Sequence, residues 1–243
     1  MLKTFTPIPL QVNPSTCTAW FDFSDTSSAN IQASGSDIVS VLNKAGNGNN
    51  LSQGVSANRP KTGTRTQNGL NVAAFDGTND FLKFNSNTPL SAPFTVFFVG
   101  KIDEEARQGS FFGRQTSTTA GQIVCGKNAS FSFFQSFCFG TAGAVSDARP
   151  TSNLNPNIHC LTFANGDRLR HGLNGLLNFS GNIISGYDNA VATPLCLGTS
   201  NVGGSSPLLG FIGEFITYSS VLNSSQVAAV SGYLSRKWGI ALA

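Results

Sequence analysis

The chain has 243 residues, of which 11% are charged, with 15 Lys and Arg against 12 Asp and Glu for a formal net charge of +3. The basic residues are scattered rather than gathered into a stripe, which excludes the electrostatic footprint of a nucleic-acid binder, and the longest strongly apolar run, 94–99, is far short of the about 20 residues that a membrane-spanning helix needs. A composition of 26 Gly, 10 Pro and 20 Phe but one Met describes many strands joined by tight turns, because Phe suits a half-buried pleated surface and Gly supplies positive φ, and the length is one that a single β-sandwich core can hold.

Residues 1–15 carry Pro7, Pro9 and Pro14 and read as an extended arm that cannot be helical, either an ordered edge segment or a reach onto a neighbouring subunit. No continuous apolar stretch follows Met1, so synthesis in a cytoplasm without a cleaved secretory signal is expected. The domain proper is expected to run from 16 to 243. Strand patterns fall at 19–23, 38–42, 70–75, 81–84 and 94–102, then at 110–113, 131–139, 159–163, 168–173, 176–179, 195–198 and 209–218. Turn signals such as Asp76-Gly77-Thr78-Asn79 and Ala164-Asn165-Gly166-Asp167 punctuate them. Without intervening helical periods, this pattern predicts an antiparallel two-sheet sandwich rather than alternating strands and helices.

Within 131–139, alternation puts Phe131, Phe133, Phe137 and Phe139 on one face, expected to be core. Phe134 and Cys138 fall on the other, either under loops or as a modest apolar patch for a partner. One helix is expected, at the C-terminus. Asn223 can cap its free N–H groups while Gln226 reaches back from the third position. Val227, Val230, Leu234 and Trp238 recur at steps of three and four to form one apolar stripe, Arg236 and Lys237 complement the dipole in the last turn, and Gly239 stops the helix. The five cysteines, Cys17, Cys125, Cys138, Cys160 and Cys196, are odd in number and widely spaced, with no C-x-x-C pair to suggest zinc or redox chemistry, and most of them read as buried free thiols.

Three stretches carry a family likeness. They are Ala19-Trp20-Phe21-Asp22-Phe23-Ser24-Asp25 with the later turn Lys44-Ala45-Gly46-Asn47-Gly48-Asn49; Asn68-Gly69-Leu70 with Phe75-Asp76-Gly77-Thr78-Asn79-Asp80-Phe81-Leu82; and Gly210 to Tyr218 with Tyr233-Leu234-Ser235-Arg236-Lys237-Trp238-Gly239-Ile240. Together they resemble the concanavalin A-like, laminin G-like domains of structural proteins in tailed bacteriophages and some large DNA viruses. The resemblance spans 19–240 and implies an all-β, antiparallel two-sheet jelly-roll sandwich closed by one short C-terminal α-helix. It further implies a non-enzymatic virion component, a capsid decoration, fibre or adsorption protein. Its partners would be capsid or tail proteins, further copies of itself, or a host-surface glycan. The alternative is a carbohydrate-binding module for cell-surface glycans, with calcium as a possible cofactor.

The residues that could carry chemistry are few. A glycosidase needs two carboxylates flanking the scissile bond, and the sequence has three glutamates, of which Glu104 and Glu105 are adjacent. Glu214 alternates with Ile212 and Ile216 on an expected inward face, where Arg236 or Lys237 could pair with it; with Trp20 and Trp238 it is read as structural. Asp76, Asn79 and Asp80 offer the oxygen ligands that calcium prefers, against a plain hairpin turn whose side chains bond their own backbone. His159 is read as a strand residue and His171 as exposed after its turn, with no metal-ligand spacing between them. Tyr187 in the loop Gly186-Tyr187-Asp188-Asn189 is the aromatic left over for stacking on a sugar, with Asp188 and Asn189 beside it.

Overall fold

A computed structural model describes residues 8–86, 90–104, 107–115, 121–127, 133–140, 143–150, 154–187 and 193–243. Two antiparallel sheets face one another. The seven-stranded sheet runs in the order Cys17–Asp22, Leu209–Tyr218, Phe94–Ile102, Asn157–Phe163, Asp167–Leu173 and Leu176–Ile184, with Ala73–Asp76 also pairing onto Leu209–Tyr218. The nine-stranded sheet runs Gly143–Pro150, Phe133–Gly140, Ile123–Lys127, Gly109–Arg114, Cys196–Leu197, Leu82–Phe84, Leu51–Ser52, Asp37–Val41 and Ile31–Ser34. This is the expected all-β jelly-roll sandwich. The strands at 94–102 and 209–218 fall where the pattern put them. Ile31–Ser34, Leu51–Ser52, Ile123–Lys127 and Gly143–Pro150 are additional, being short, or polar and ended by proline.

Burial explains why some strands read as unbroken apolar runs. Phe94, Val96 and Phe98 enter the core between the sheets, while Phe97 and Val99 enter a second core on the other face of the same strand. That second core lies under the closing helix Ser224–Trp238, whose Val227, Val230, Leu234 and Trp238 are buried there. The capping box forms: Asn223 accepts from the Gln226 backbone N–H while the Gln226 side chain accepts from that of Asn223, and Gly239 closes the helix in the left-handed region at φ 65°. Among the described residues, one sheet therefore has its outer face covered by a helix, and the other does not.

Two expectations are corrected. Residues Ile8–Val12 form a short helix, because Pro9 sits in a first turn, where N–H groups have no intrahelical partner and a missing one costs nothing. Five residues cannot hold a helix alone; this one is tied down by the Tyr218 hydroxyl donating to the Pro9 carbonyl at 2.9 Å and by Gln226 Nε2 donating to the Val12 carbonyl. In the Phe-rich strand the faces are inverted: Phe134, Ser136 and Cys138 are buried inside, and Phe137 is half-buried on the outer side. Both faces carry Phe, so alternation identified the two sets but could not say which one pointed inward. Phe131 lies outside the described residues.

Candidate functional site

The outer face of the nine-stranded sheet carries a groove. Val124 and Phe137 are direct cross-strand partners on Ile123–Lys127 and Phe133–Gly140, and both point away from the core that takes Ile123, Cys125, Phe134 and Cys138. Against them lies the loop 199–207, zipped along Gly109–Arg114 by the Ser110 N–H donating to the Ser206 carbonyl and the Gln115 N–H donating to that of Ser200, both at 2.9 Å. The approach is close because Gly113 has no side chain: a Cβ there would stand 2.6 Å from the Ser200 backbone. The resulting groove, of about 80 Å³, is lined by Gln108, Gln115, Ser110, Ser200, Ser206 and Lys127 around the Phe137 ring. Gln108 Nε2 donates to the Ser206 hydroxyl at 2.9 Å, which fixes one wall. Amides, hydroxyls, one ammonium and one aromatic ring make a polar surface rich in hydrogen-bond donors and acceptors.

The sequence-predicted residues lie elsewhere. Tyr187 is buried, 3% exposed, and packs on Phe94 and Phe163. Its hydroxyl accepts from Arg114 Nη2 at 2.8 Å, so the ring is not presented to a ligand. The correction follows from the fully buried Arg114, whose Nε and Nη2 also donate to the Gly121 carbonyl; the tyrosine is its indoor partner. Asp188 and Asn189 lie outside the described residues. At the second predicted site, Asp76 Oδ1 accepts from the Thr78 and Asn79 N–H groups, and Asp80 Oδ2 accepts from that of Asp76. These carboxylates bond the turn's own backbone, and Asn79 Nδ2 donates to Asn58 Oδ1. Burial, together with the negative charge of Asp76, pushes the Asp80 carboxyl up to about 6.

Glu214 is wholly buried and fully engaged. Trp20 Nε1 donates to its Oε1 at 2.6 Å and Tyr233 hydroxyl at 2.9 Å; Trp238 Nε1 and Lys237 Nζ donate to its Oε2 at 2.9 and 2.8 Å. The same ammonium donates to Asp22 Oδ1 at 2.7 Å, and Lys44 links Asp22 to Asp25. Burial pushes the Glu214 carboxyl up against the pull of Lys237. Burial acts upward on Asp22 too, but Lys237, Ser24 and Lys44 hold its carboxyl below the ordinary value. The alternation argument for Glu214 fails in detail. A register shift between Ile212 and Glu214 leaves Ile212 in the inter-sheet core and turns Glu214 to the helix side with Ile216. Gly213, at the bulge, has Trp238 ring atoms where its Cβ would be, at 2.8–3.0 Å.

The histidines also depart from expectation. His171 is fully buried and meets His159 across neighbouring strands, with His159 Nδ1 3.0 Å from His171 Nε2 and His171 Nδ1 2.8 Å from Ser136 Oγ. Sequence spacing could not show this, because the strand register, not proximity in the chain, joins them. A serine, an imidazole and an orienting group in sequence are the parts of a nucleophile relay, but all three side chains are sealed beneath Phe98, Phe111 and Phe134.

An antiparallel two-sheet β-sandwich with an open groove on one sheet is the class that this fold and surface define. Among solved structures, domain 4 of AbnA, a GH43 extracellular arabinanase from Geobacillus stearothermophilus solved with arabinotriose, superposes with a TM-score of 0.65 at 14% identity, covering 89% of this chain and 98% of that one. The receptor binding domain of botulinum neurotoxin D gives 0.64 at 11% identity over 90% of this chain and 53% of that chain. Trypanosoma rangeli sialidase gives 0.59 at 15% over 92% of this chain. The chain spans about a third of the sialidase's length and about half of the neurotoxin structure's. At these identities the likeness is one of fold. No family model and no curated protein sequence matches the chain.

Proposed function

We propose that this domain is a non-catalytic glycan-binding module whose ligand lies in the groove over Gly109–Arg114, Ile123–Lys127 and Phe133–Gly140. The observation that carries the reading is the groove itself: amide, hydroxyl and ammonium groups around one apolar ring, on the sheet face that no helix among the described residues covers. Neighbouring folds support it, since the arabinanase domain was solved with arabinotriose and one sialidase structure holds sialic acid. The absence of catalysis is supported by Glu214 being consumed by two indoles, a phenol and an ammonium, which leaves it no path to a substrate. A glycan array probed with the full chain, with and without calcium, tests the reading. Binding that weakens about tenfold, roughly 1.4 kcal/mol, in Phe137→Ala and Gln115→Ala is expected; silence in both conditions refutes it.

A second reading, display on a virion, is favoured by the stretches 19–25, 44–49, 68–70, 75–82, 210–218 and 233–240 that resemble phage structural domains. In it the sandwich docks on capsid or tail proteins and presents the groove outward, so both roles fit one adsorption protein. Mass spectrometry of purified particles would find the chain at stoichiometric copy number, and its absence would remove this reading without touching the first.

A further inference from the structure

The interior between the sheets holds a polar group that the groove does not use. Cys125 and Ser136 project into it from the nine-stranded sheet, His159 and His171 from the seven-stranded one, and all four are buried. Ser136 Oγ donates to Cys125 Sγ at 3.3 Å and lies 2.8 Å from His171 Nδ1, whose ring presents Nε2 to His159 Nδ1 at 3.0 Å. The His159 ring is held in place by stacking on Phe98 at 4.3 Å, with Phe134 and Phe111 on its other sides. Its Nε2 is buried with no hydrogen-bond partner among the described residues. Four polar side chains gathered in a Phe-lined core are costly to bury, and apolar side chains of similar volume would pack there without that cost.

We infer that Cys125, His159 and His171 form a binding site for one zinc-like transition-metal ion. One thiol and two imidazoles are the nitrogen and sulfur donors that such borderline ions select over oxygen-seeking calcium or magnesium. The candidate ligand atoms all lie within 4.8 Å of one another. The two facing nitrogens stand 3.0 Å apart, against about 3.3 Å for two nitrogens bound at about 2.0 Å to a tetrahedral ion. Ser136 supplies the outer contact that ligating histidines ordinarily have: with Nδ1–H donating to its oxygen, His171 keeps the Nε2 lone pair aimed at the ion. The protons balance. Cys125 loses its thiol proton to solvent, while His159 shifts its own from Nδ1 to the orphaned Nε2. The bound ion then holds one thiolate and two neutral imidazoles. Because the cluster is sealed, the ion enters as the chain folds, so binding is coupled to folding.

The test uses the full chain, unfolded with a chelator and refolded with Zn²⁺, with Co²⁺ or without metal. About one equivalent of zinc should survive gel filtration, and Tm should rise by about 5–10 °C at a hundredfold excess over Kd. The cobalt form should show a thiolate-to-metal charge-transfer band. Cys125→Ser should abolish that band and cut retained metal at least about fivefold, while Cys138→Ala, outside the ligand set, keeps both. A refolded wild-type chain with native circular dichroism, no retained metal and an unchanged Tm overturns the site, as does a cobalt band that persists in Cys125→Ser. Should Cys125→Ser fail to fold, wild-type stoichiometry and the cobalt band decide.

Discussion

Replacing Lys237 by Met removes the one ammonium that lies between two carboxylates at the foot of the closing helix. Its Nζ is 2.7 Å from Asp22 and 2.8 Å from Glu214, and the Glu214 side chain is 0% exposed. Breaking a buried ion pair from one side costs about 3–5 kcal/mol, because the remaining charge stays in place without its partner. Here the low end, about 3 kcal/mol, is expected: Asp22 retains Lys44 at 3.4 Å, and Glu214 retains Trp20, Tyr233 and Trp238 as donors. The loss must also depend on pH. Without the cation, burial raises the Glu214 carboxyl further above its unfolded value of about 4.3, so the folded state holds a proton that the unfolded state has released, and stability falls as pH rises above that value. Urea titrations followed by tryptophan fluorescence suit the question, since the chain has 2 Trp and both donate to Glu214. Adding Glu214→Gln to Lys237→Met should cost at least about 1 kcal/mol less than the sum of the two single changes. A loss under about 1 kcal/mol at pH 7, or one that is the same at pH 4, would refute the reasoning.

Asp80→Asn should stabilise the domain by roughly 1–2 kcal/mol at pH 7 and by almost nothing at pH 4. Its folded carboxyl sits up at about 6, so the parent loses stability as pH climbs from the unfolded value through that range; a pH-independent difference in urea midpoints would contradict this. Calcium that raised the Tm of the parent but not of Asp80→Asn would instead mark the Asp76–Asp80 turn as a cation site. Gly213→Ala should cost about 1–3 kcal/mol by overpacking, since the new methyl would meet Trp238 ring atoms at 2.8–3.0 Å. Unchanged stability with an unshifted Trp emission maximum would show that the helix can move aside.

Much of the architecture was legible because it rests on contacts between near neighbours in the chain. The capping box at Asn223, the stripe Val227, Val230, Leu234 and Trp238, and the glycine stop are all set within a few residues of one another, and alternation with turn residues located the strands 94–102 and 209–218. The burial of the five cysteines outside disulfides agrees with the reading of most of them as small core residues. The groove was not legible. Its walls come from the loop 199–207 and three strands brought together by sheet order, and its ring, Phe137, lies on the strand face that alternation alone assigns to the core.

What the sequence determined by itself is therefore the type of the longer, strongly patterned elements, such as 94–102, 209–218 and 224–238, and the sets of residues that share their faces, since both depend on backbone period and local capping. Which face turns inward, which strands become neighbours and which distant polar groups meet were decided only by tertiary structure. Phe134 and Phe137 exchange places, Tyr187 retreats beneath Arg114, a bulge at Gly213 turns Glu214 towards Trp238, and His159 finds His171 through strand register. In each case competing side chains of similar hydrophobicity or charge were available, and the pairing of distant strands, which no local period encodes, chose between them.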